Sequence, residues 1–225
     1  MSEVFELAPT TPSTSPPGSM GRRVAMFSLE IGERVLVAAL YYALVERLLA
    51  NFAHTRNSAD LLTLASEGLV VALAIIRKPA KQVSLRAQDW LLAFGASFLP
   101  LLLVPAEISP FGPAWIGLAL QTTSFVSQLA AKIFLFRNFG IAPALRGVAT
   151  RGPYAIVRHP MYAAYFIGQL GFLYAFPTLW NAALLAIWSG AQILRIFAEE
   201  RVLAQSPVYR DYLARVRWRL APGLF

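Results

Sequence analysis

Apolar and polar positions fall in long blocks along this chain. Apolar residues dominate six runs, at 24–50, 61–76, 90–104, 114–136, 161–176 and 179–197. A helix that crosses the ~30 Å hydrocarbon layer of a bilayer needs about 20 residues. The pattern therefore predicts an all-α, polytopic transmembrane helical bundle with five or six spans. The second, third and fifth runs are short, so their helices must extend into flanking polar residues.

Only Pro177 and Thr178 separate the last two runs, which predicts a C-terminal helical hairpin, either fully spanning or re-entrant. Beyond it, residues 199–220 are charged but keep apolar positions at helical spacing. They predict a cytoplasmic amphipathic helix, on the membrane surface or packed over a membrane site. Residues 1–20 are rich in Pro, Ser and Thr and predict a disordered tail. The organisation is therefore a tail (1–20), N-terminal transmembrane helices (21–150) and a C-terminal region (151–225).

The composition argues against an ordinary soluble enzyme. Hydrophobic residues make up 57% of the 225 positions and charged residues only 14%, against about 25% in a typical soluble domain. The absence of cysteine excludes disulfides and thiolate catalysis, and two histidines predict no metal site. No P-loop and no Gly-x-Gly-x-x-Gly motif is present, so any cofactor site must be built from helices and their connections.

The basic residues lie in particular connections between the apolar runs. They stand before the first run, after the second, before the fifth and after the sixth, whereas 105–113 and 177–178 contain none. Basic residues favour the cytoplasmic side of a membrane, so we expect both termini in the cytoplasm, and the inner membrane if the protein is bacterial. The net charge of +8 then fits an anionic bilayer surface, and we expect no nucleic acid partner.

A first polar cluster precedes the hairpin and contains Tyr154, Arg158, His159, Pro160 and Tyr162. Proline suits the first turn of a helix, so His159 is predicted at a helix start. A helix N-terminus beside arginines favours an anion such as a carboxylate or phosphate. The alternative is an anchor at the membrane interface, where arginine and tyrosine are common.

A second cluster, Arg195, Glu199 and Glu200, follows the hairpin. Arg195 and Glu199 are four residues apart and can pair on one helix face, whereas Glu200 lies about 100° around the helix. Carboxylates at a helix C-terminus oppose its dipole, so a positive group must compensate. An arginine or a cationic ligand satisfies this requirement. The alternative is a solvated helix end with local ion pairs.

Two further sets of charges lie in or near apolar runs. Glu67 is inside the second run, and a carboxylate there predicts a helix–helix pair or a wall of an acceptor cavity. Glu30, Glu33 and Arg34 stand near the start of the first run, where we predict an interfacial set.

The two clusters together resemble the superfamily of isoprenylcysteine carboxyl methyltransferases and phospholipid methyltransferases. The family pattern is Gly-Pro-Tyr-x-x-x-Arg-His-Pro-x-Tyr, two apolar helices, Arg-x-x-x-Glu-Glu, spaced tyrosines and a proline. The matching residues are Gly152, Pro153, Tyr154, Arg158, His159, Pro160, Tyr162, Arg195, Glu199, Glu200, Tyr209, Tyr212 and Pro222. The resemblance covers the last third of the chain and implies an integral membrane enzyme that uses S-adenosyl-L-methionine.

The resemblance also implies roles for these residues. His159, Tyr162 and the backbone near Pro160 bind the carboxylate end of the cofactor, with Tyr154 and Arg158 in the same cofactor-binding set. Glu199 or Glu200 meets its amine or ribose hydroxyls. Arg195 and Glu199 are the implied catalytic residues, with Arg195 orienting a carboxylate of the acceptor. That acceptor is a lipophilic molecule or lipid that enters from the bilayer.

Two alternatives remain open. Membrane sterol reductases share a related C-terminal layout and use NADPH, but they carry Arg-Asp where this chain has Glu199-Glu200. A non-catalytic membrane protein would explain the hydropathy and leave the compound motif unexplained.

Overall fold

The computed structural model describes residues 19–55, 68–105 and 109–225. Most of the predicted tail, and Glu67, lie outside these ranges. The helices are α1 (Ser19–Thr55), α2 (68–76), α3 (Ala87–Phe98), α4 (Ala114–Leu135), α5 (Pro160–Ala175), α6 (Leu179–Leu203) and α7 (Pro207–Arg215). Short 3-10 turns occupy Leu99–Leu102, Phe136–Asn138 and Gly152–Ala155. The described part is mostly helical, as predicted.

A two-residue antiparallel ladder, which the apolar pattern did not predict, joins β1 (Gln82–Val83) to β2 (Ala144–Leu145). Hydrogen bonds from Lys81 N to Leu145 O and from Ser84 N to Pro143 O extend it. The connection before α3 is therefore fixed to the connection after α4.

The helices differ in their capacity to cross a membrane. Within the described ranges, Leu179–Leu203 is the helix that is long and apolar enough to span a bilayer. The third apolar run forms only a short helix and turn, Ala87–Leu102, and α5 has 16 residues. A count of five or six spans therefore stays a prediction.

Helices α4 and α5 pack with unusually close backbones. A Cβ added at Gly171 would lie 2.8 Å from Leu120 Cβ, and one at Gly168 would lie 2.5 Å from Ser124 Oγ. The Ser124 hydroxyl donates to Ala164 O at 2.7 Å. Small residues allow this approach in membrane helices. The packing holds the start of α5 beside the connection that follows α4.

The helical hairpin is confirmed, with α5 and α6 joined by Phe176, Pro177 and Thr178. The Thr178 side chain caps α6 by accepting from Asn181 N at 3.0 Å. Asn181 is fully buried and its amide donates to Phe176 O and Val104 O. The turn is therefore rigid, and α6 returns toward the start of α5.

The amphipathic helix predicted over 199–220 is wrong in its extent. Helix α6 continues to Leu203, and α7 covers only Pro207–Arg215. At Val216 the backbone becomes extended, and the segment beyond it is not helical because Arg158 N and His159 N donate to Trp218 O and Arg219 O, both at 2.8 Å. The buried face of α7 packs against the end of α6 and Val148.

Glu30 and Glu33 are buried within the protein, in a set that we call the Glu33 cluster: Glu30, Glu33, Arg77 and Arg146. Their predicted place at the membrane interface stays a prediction. Arg77 Nη1 lies 2.8 Å from Glu33 Oε1, and Arg146 Nη2 lies 3.0 Å from Glu30 Oε1. Glu33 Oε1 also accepts from Ile141 N at 2.7 Å. The cluster ties α1 to two connections that are distant in sequence.

Candidate active site

The hairpin brings the two predicted polar clusters together. His159 is the N-cap residue of α5 and Pro160 is its first helical residue, as the sequence predicts. Glu200 lies in the last turn of α6. His159 Nε2 is 3.3 Å from Glu200 Oε1, although 40 residues separate them in the chain.

Glu200 is surrounded by two arginines and a histidine in what we call the Glu200 cluster: Glu200, Arg158, His159 and Arg219. Arg158 Nη1 lies 3.1 Å from Glu200 Oε1, and Arg219 Nε lies 3.0 Å from Glu200 Oε2. Arg219 belongs to the non-helical segment after α7. The positive groups that compensate this helix end are therefore arginines from other elements, and both oxygens of Glu200 are occupied.

Glu199 has a different environment from its neighbour. It is half-buried, and its Oε2 accepts a hydrogen bond from the Tyr162 hydroxyl at 2.7 Å. Tyr162 itself is 4% exposed. Glu199 forms no ion pair with an arginine within the described ranges, so its charge remains available to a ligand.

Arg195 does not pair with Glu199, although their spacing permits it. Its guanidinium donates to Ile141 O at 2.8 Å and to Ser97 Oγ at 3.3 Å. It also lies 5.2 Å from the centre of the Tyr162 ring. Tertiary contacts with α3 and the 141 connection compete successfully with the local pair. Arg195 therefore contacts the site through Tyr162.

An open cavity with about 530 Å³ of empty space, its mouth included, lies beside these groups. It is lined by Leu135, Asn138, Ala144, Gly147, Val148, Ala149, Tyr154, Arg158, His159, Met161, Tyr162, Glu199, Leu203, Tyr209 and Tyr212. Only a small part of this space is wide enough for water, so a larger ligand requires lining side chains to move. The lining also crosses the predicted division at residue 150, since the connection after α4 contributes to it.

Sequence reasoning missed Asn138 and Gly147 as cavity residues and gave Tyr209 no role beyond the family pattern. Asn138 Oδ1 and the Tyr209 hydroxyl are buried and form no hydrogen bond with any residue in the described ranges. By contrast, the Tyr212 hydroxyl donates to Tyr154 O at 2.7 Å. Nothing in the local pattern distinguishes Asn138, because it follows α4 among ordinary polar and apolar residues.

The tyrosine hydroxyls of the cavity are held in their neutral form. Burial raises the pKa of Tyr209, and the Glu200 and Glu199 carboxylates raise it further. Burial likewise raises the pKa of Tyr212 to about 12 and raises the pKa of Tyr154. These groups therefore serve as hydrogen-bond donors and acceptors at neutral pH.

Comparison with known families adds an independent finding. The model of the phospholipid methyltransferase family matches residues 111–210, which include α4, the whole hairpin and the start of α7. No curated protein matches the chain. The matched segment contains most of the residues that line the cavity. Residues 111–210, a little under half of the chain, therefore resemble the membrane methyltransferase superfamily that includes the phospholipid and isoprenylcysteine carboxyl methyltransferases.

Proposed function

We propose that this protein is an integral membrane methyltransferase that uses S-adenosyl-L-methionine and acts on a lipophilic acceptor. One observation carries the proposal: the hairpin joins a helix N-terminus, an arginine, a histidine and an available carboxylate at one cavity. The family match supports the methyl-transfer chemistry. The resemblance to isoprenylcysteine carboxyl methyltransferases suggests the type of acceptor.

The donor set of the cavity fits the amino-acid end of the cofactor, which carries a carboxylate and an ammonium group. The start of α5 has no side-chain cap, so the N–H groups of its first turn are available to an anion. Arg158 and His159 line the cavity at that point. Glu199 supplies negative charge for the ammonium group. Arg158 thus faces the carboxylate and Glu199 faces the ammonium group of the same zwitterionic ligand.

In this proposal Glu199 binds the ligand, and Glu200 positions the neighbouring basic side chains. Glu199 binds the ligand with the help of Tyr162, whose hydroxyl holds one carboxylate oxygen in place. Glu200 instead positions Arg158, His159 and the segment that carries Arg219. Tyr154 completes the cofactor-binding set, since it also lines the cavity.

The cofactor supplies a methyl group on a positively charged sulfur. The protein has to hold the acceptor near that group and keep water away, since proximity and a dry site are the main contributions to such a transfer. Arg195 is the proposed group that orients an acidic acceptor. Its Nε is buried and makes no hydrogen bond to the part of the chain that the structure describes, which leaves a donor for the acceptor.

The proposed setting is a bilayer with the cavity and both termini on the cytoplasmic side. Large apolar side chains are exposed on α4 and α6, including Leu118 at 68% and Ile187 at 61%. Contiguous exposed apolar surface of this kind marks contact with lipid or a partner. Reporter fusions at each end test the topology, and an external terminus would overturn it.

Thermal unfolding of the detergent-purified protein tests the function directly. S-adenosylhomocysteine at a hundred times its Kd should stabilise the protein by about 2.7 kcal/mol, which is about 5 to 10 °C for a chain of this size. NADPH at the same concentration should leave the unfolding temperature unchanged. Stabilisation by NADPH alone would favour a reductase, and no response to either ligand would favour a non-catalytic protein.

A further inference from the structure

Two polar residues of the cavity have no contact with the amino-acid end of the cofactor in the proposed function. Asn138 lies in the 3-10 turn that follows α4, and Tyr209 lies on the buried face of α7. Both line the cavity, and neither Asn138 Oδ1 nor the Tyr209 hydroxyl has a hydrogen-bond partner among the residues that the structure describes. A buried polar atom without a partner is costly, so two beside one cavity indicate a ligand.

The position of Asn138 is maintained by a glycine. A Cβ at Gly147 would lie 2.5 Å from Asn138 Oδ1, so any larger residue there would displace the amide. Gly147 also lines the cavity. The lining of the same cavity also includes the apolar residues Leu135, Val148 and Ala149. An amide beside apolar side chains can bind a flat aromatic ring that carries polar atoms at its edge.

Tyr209 is 3% exposed and packs against Tyr212, with ring centres 5.6 Å apart. The two residues differ in one respect, because Tyr212 uses its hydroxyl within the protein and Tyr209 does not. The two glutamates at the end of α6 act electrostatically on the Tyr209 hydroxyl. Tyr209 therefore stands close to the residues that we assign to the amino-acid end.

We infer that Asn138 and Tyr209 bind the nucleoside half of the cofactor. The amide of Asn138 pairs with the amino edge of adenine, a pairing that asparagine makes with adenine elsewhere. The hydroxyl of Tyr209 bonds to the ribose. This inference rests on the proposed function, and it adds the residues that select an adenine base.

Calorimetric titration with two ligands tests the assignment. The first is S-adenosylhomocysteine, and the second is S-inosylhomocysteine, in which a carbonyl replaces the amino group of the base. The wild-type protein should prefer the adenosyl ligand by about tenfold, the value of one good hydrogen bond. Asn138→Ala should bind both ligands about equally, because it cannot recognise the amino group.

Three further variants test whether the lost preference comes from the Asn138 amide itself. Gly147→Ala retains Asn138 but displaces its amide, so it should lose the same preference. Gln205→Ala removes an amide from an exposed position outside the cavity and should behave as wild type. Tyr209→Phe should weaken both ligands equally, by up to about tenfold, because the ribose is common to them.

The outcomes separate the two proposals. A wild-type preference that disappears in Asn138→Ala and Gly147→Ala supports the inference. If the wild type binds S-adenosylhomocysteine but the variants keep its preference, the nucleoside assignment is wrong and the proposed function stands. If the folded wild type binds neither ligand, the proposed function fails and the inference fails with it.

Discussion

Two buried clusters of acidic and basic side chains in this protein differ in their relation to the cavity: the Glu33 cluster lies away from it, and the Glu200 cluster adjoins it. The Glu33 cluster joins α1 to the connections at 77–80 and 141–146, and its carboxylates also accept from Ile141 N, Ala142 N and Ala80 N. None of its four members lines the cavity. In the Glu200 cluster, Arg158 and His159 do line the cavity, beside groups with unused hydrogen-bonding capacity.

The comparison shows that buried charge alone does not identify a functional site. In the Glu33 cluster, burial and the nearby Arg77 cation lower the pKa of Arg146, and both carboxylates offset that cost. The cluster does not reach the cavity, so its contacts hold the fold together. The Glu200 cluster is also neutralised, but it adjoins an available carboxylate, Glu199, and the unpartnered hydroxyl of Tyr209. Unused polar groups beside a cavity distinguish the second region.

The largest expected effect is on stability, from Glu33→Gln. Removing one partner of a buried ion pair leaves the cations Arg77 and Arg146 poorly compensated and should cost about 3 to 5 kcal/mol of unfolding free energy. Chemical denaturation in detergent measures it. Glu46→Gln, at an exposed position of the same helix, is the matched control and should change little. A loss as small as that of the control would show that water reaches the cluster.

Glu200→Gln should have a smaller effect of the same kind. It replaces the carboxylate shared by Arg158, His159 and Arg219, and losing hydrogen bonds to a charged group costs about 1.5 to 3 kcal/mol. The unfolding free energy should fall by that amount. The segment after Val216 should also become more sensitive to protease, since Arg219 no longer holds it. Unchanged stability would contradict the structural role assigned to Glu200.

Glu199→Gln and His159→Ala should affect binding more than stability. Each removes an interaction with a charged end of the ligand, which should weaken S-adenosylhomocysteine by about ten- to a hundredfold. The unfolding free energy of Glu199→Gln should stay close to wild type, in contrast to Glu200→Gln. Calorimetric titration of both variants gives the result. Wild-type affinity in each would remove the cofactor site from this end of the hairpin.

The smallest expected effect comes from the two tyrosines of α7. Tyr212→Phe breaks the bond to Tyr154 O and should cost about 1 kcal/mol of stability. Tyr209→Phe removes a hydroxyl that has no partner in residues 19–55, 68–105 and 109–225, so stability should be unchanged or slightly higher. Thermal unfolding of the ligand-free variants compares them. Equal losses would mean that Tyr209 also has a structural bond.

Local patterns in the sequence predicted the elements that depend on local interactions. The helical class, the hairpin around Pro177 and Thr178, and the start of α5 at Pro160 all follow from hydropathy, proline and capping. The extent of the last helix was wrong, because the backbone of residues 158–159 pairs with 218–219 and draws that segment out of helical geometry. No periodicity within 199–220 reports such a distant partner.

The sequence by itself determined which residue types stand at the two ends of the hairpin, and so the charges that meet there. Only the tertiary structure decided how those charges are used: Glu200 is neutralised, Glu199 is available, and Arg195 bonds to Ile141 and Ser97. It also placed Asn138 at the cavity and Glu33 in a closed cluster. The physical reason is that spacing along a helix limits which neighbours can pair, whereas packing between distant segments selects the partners that form.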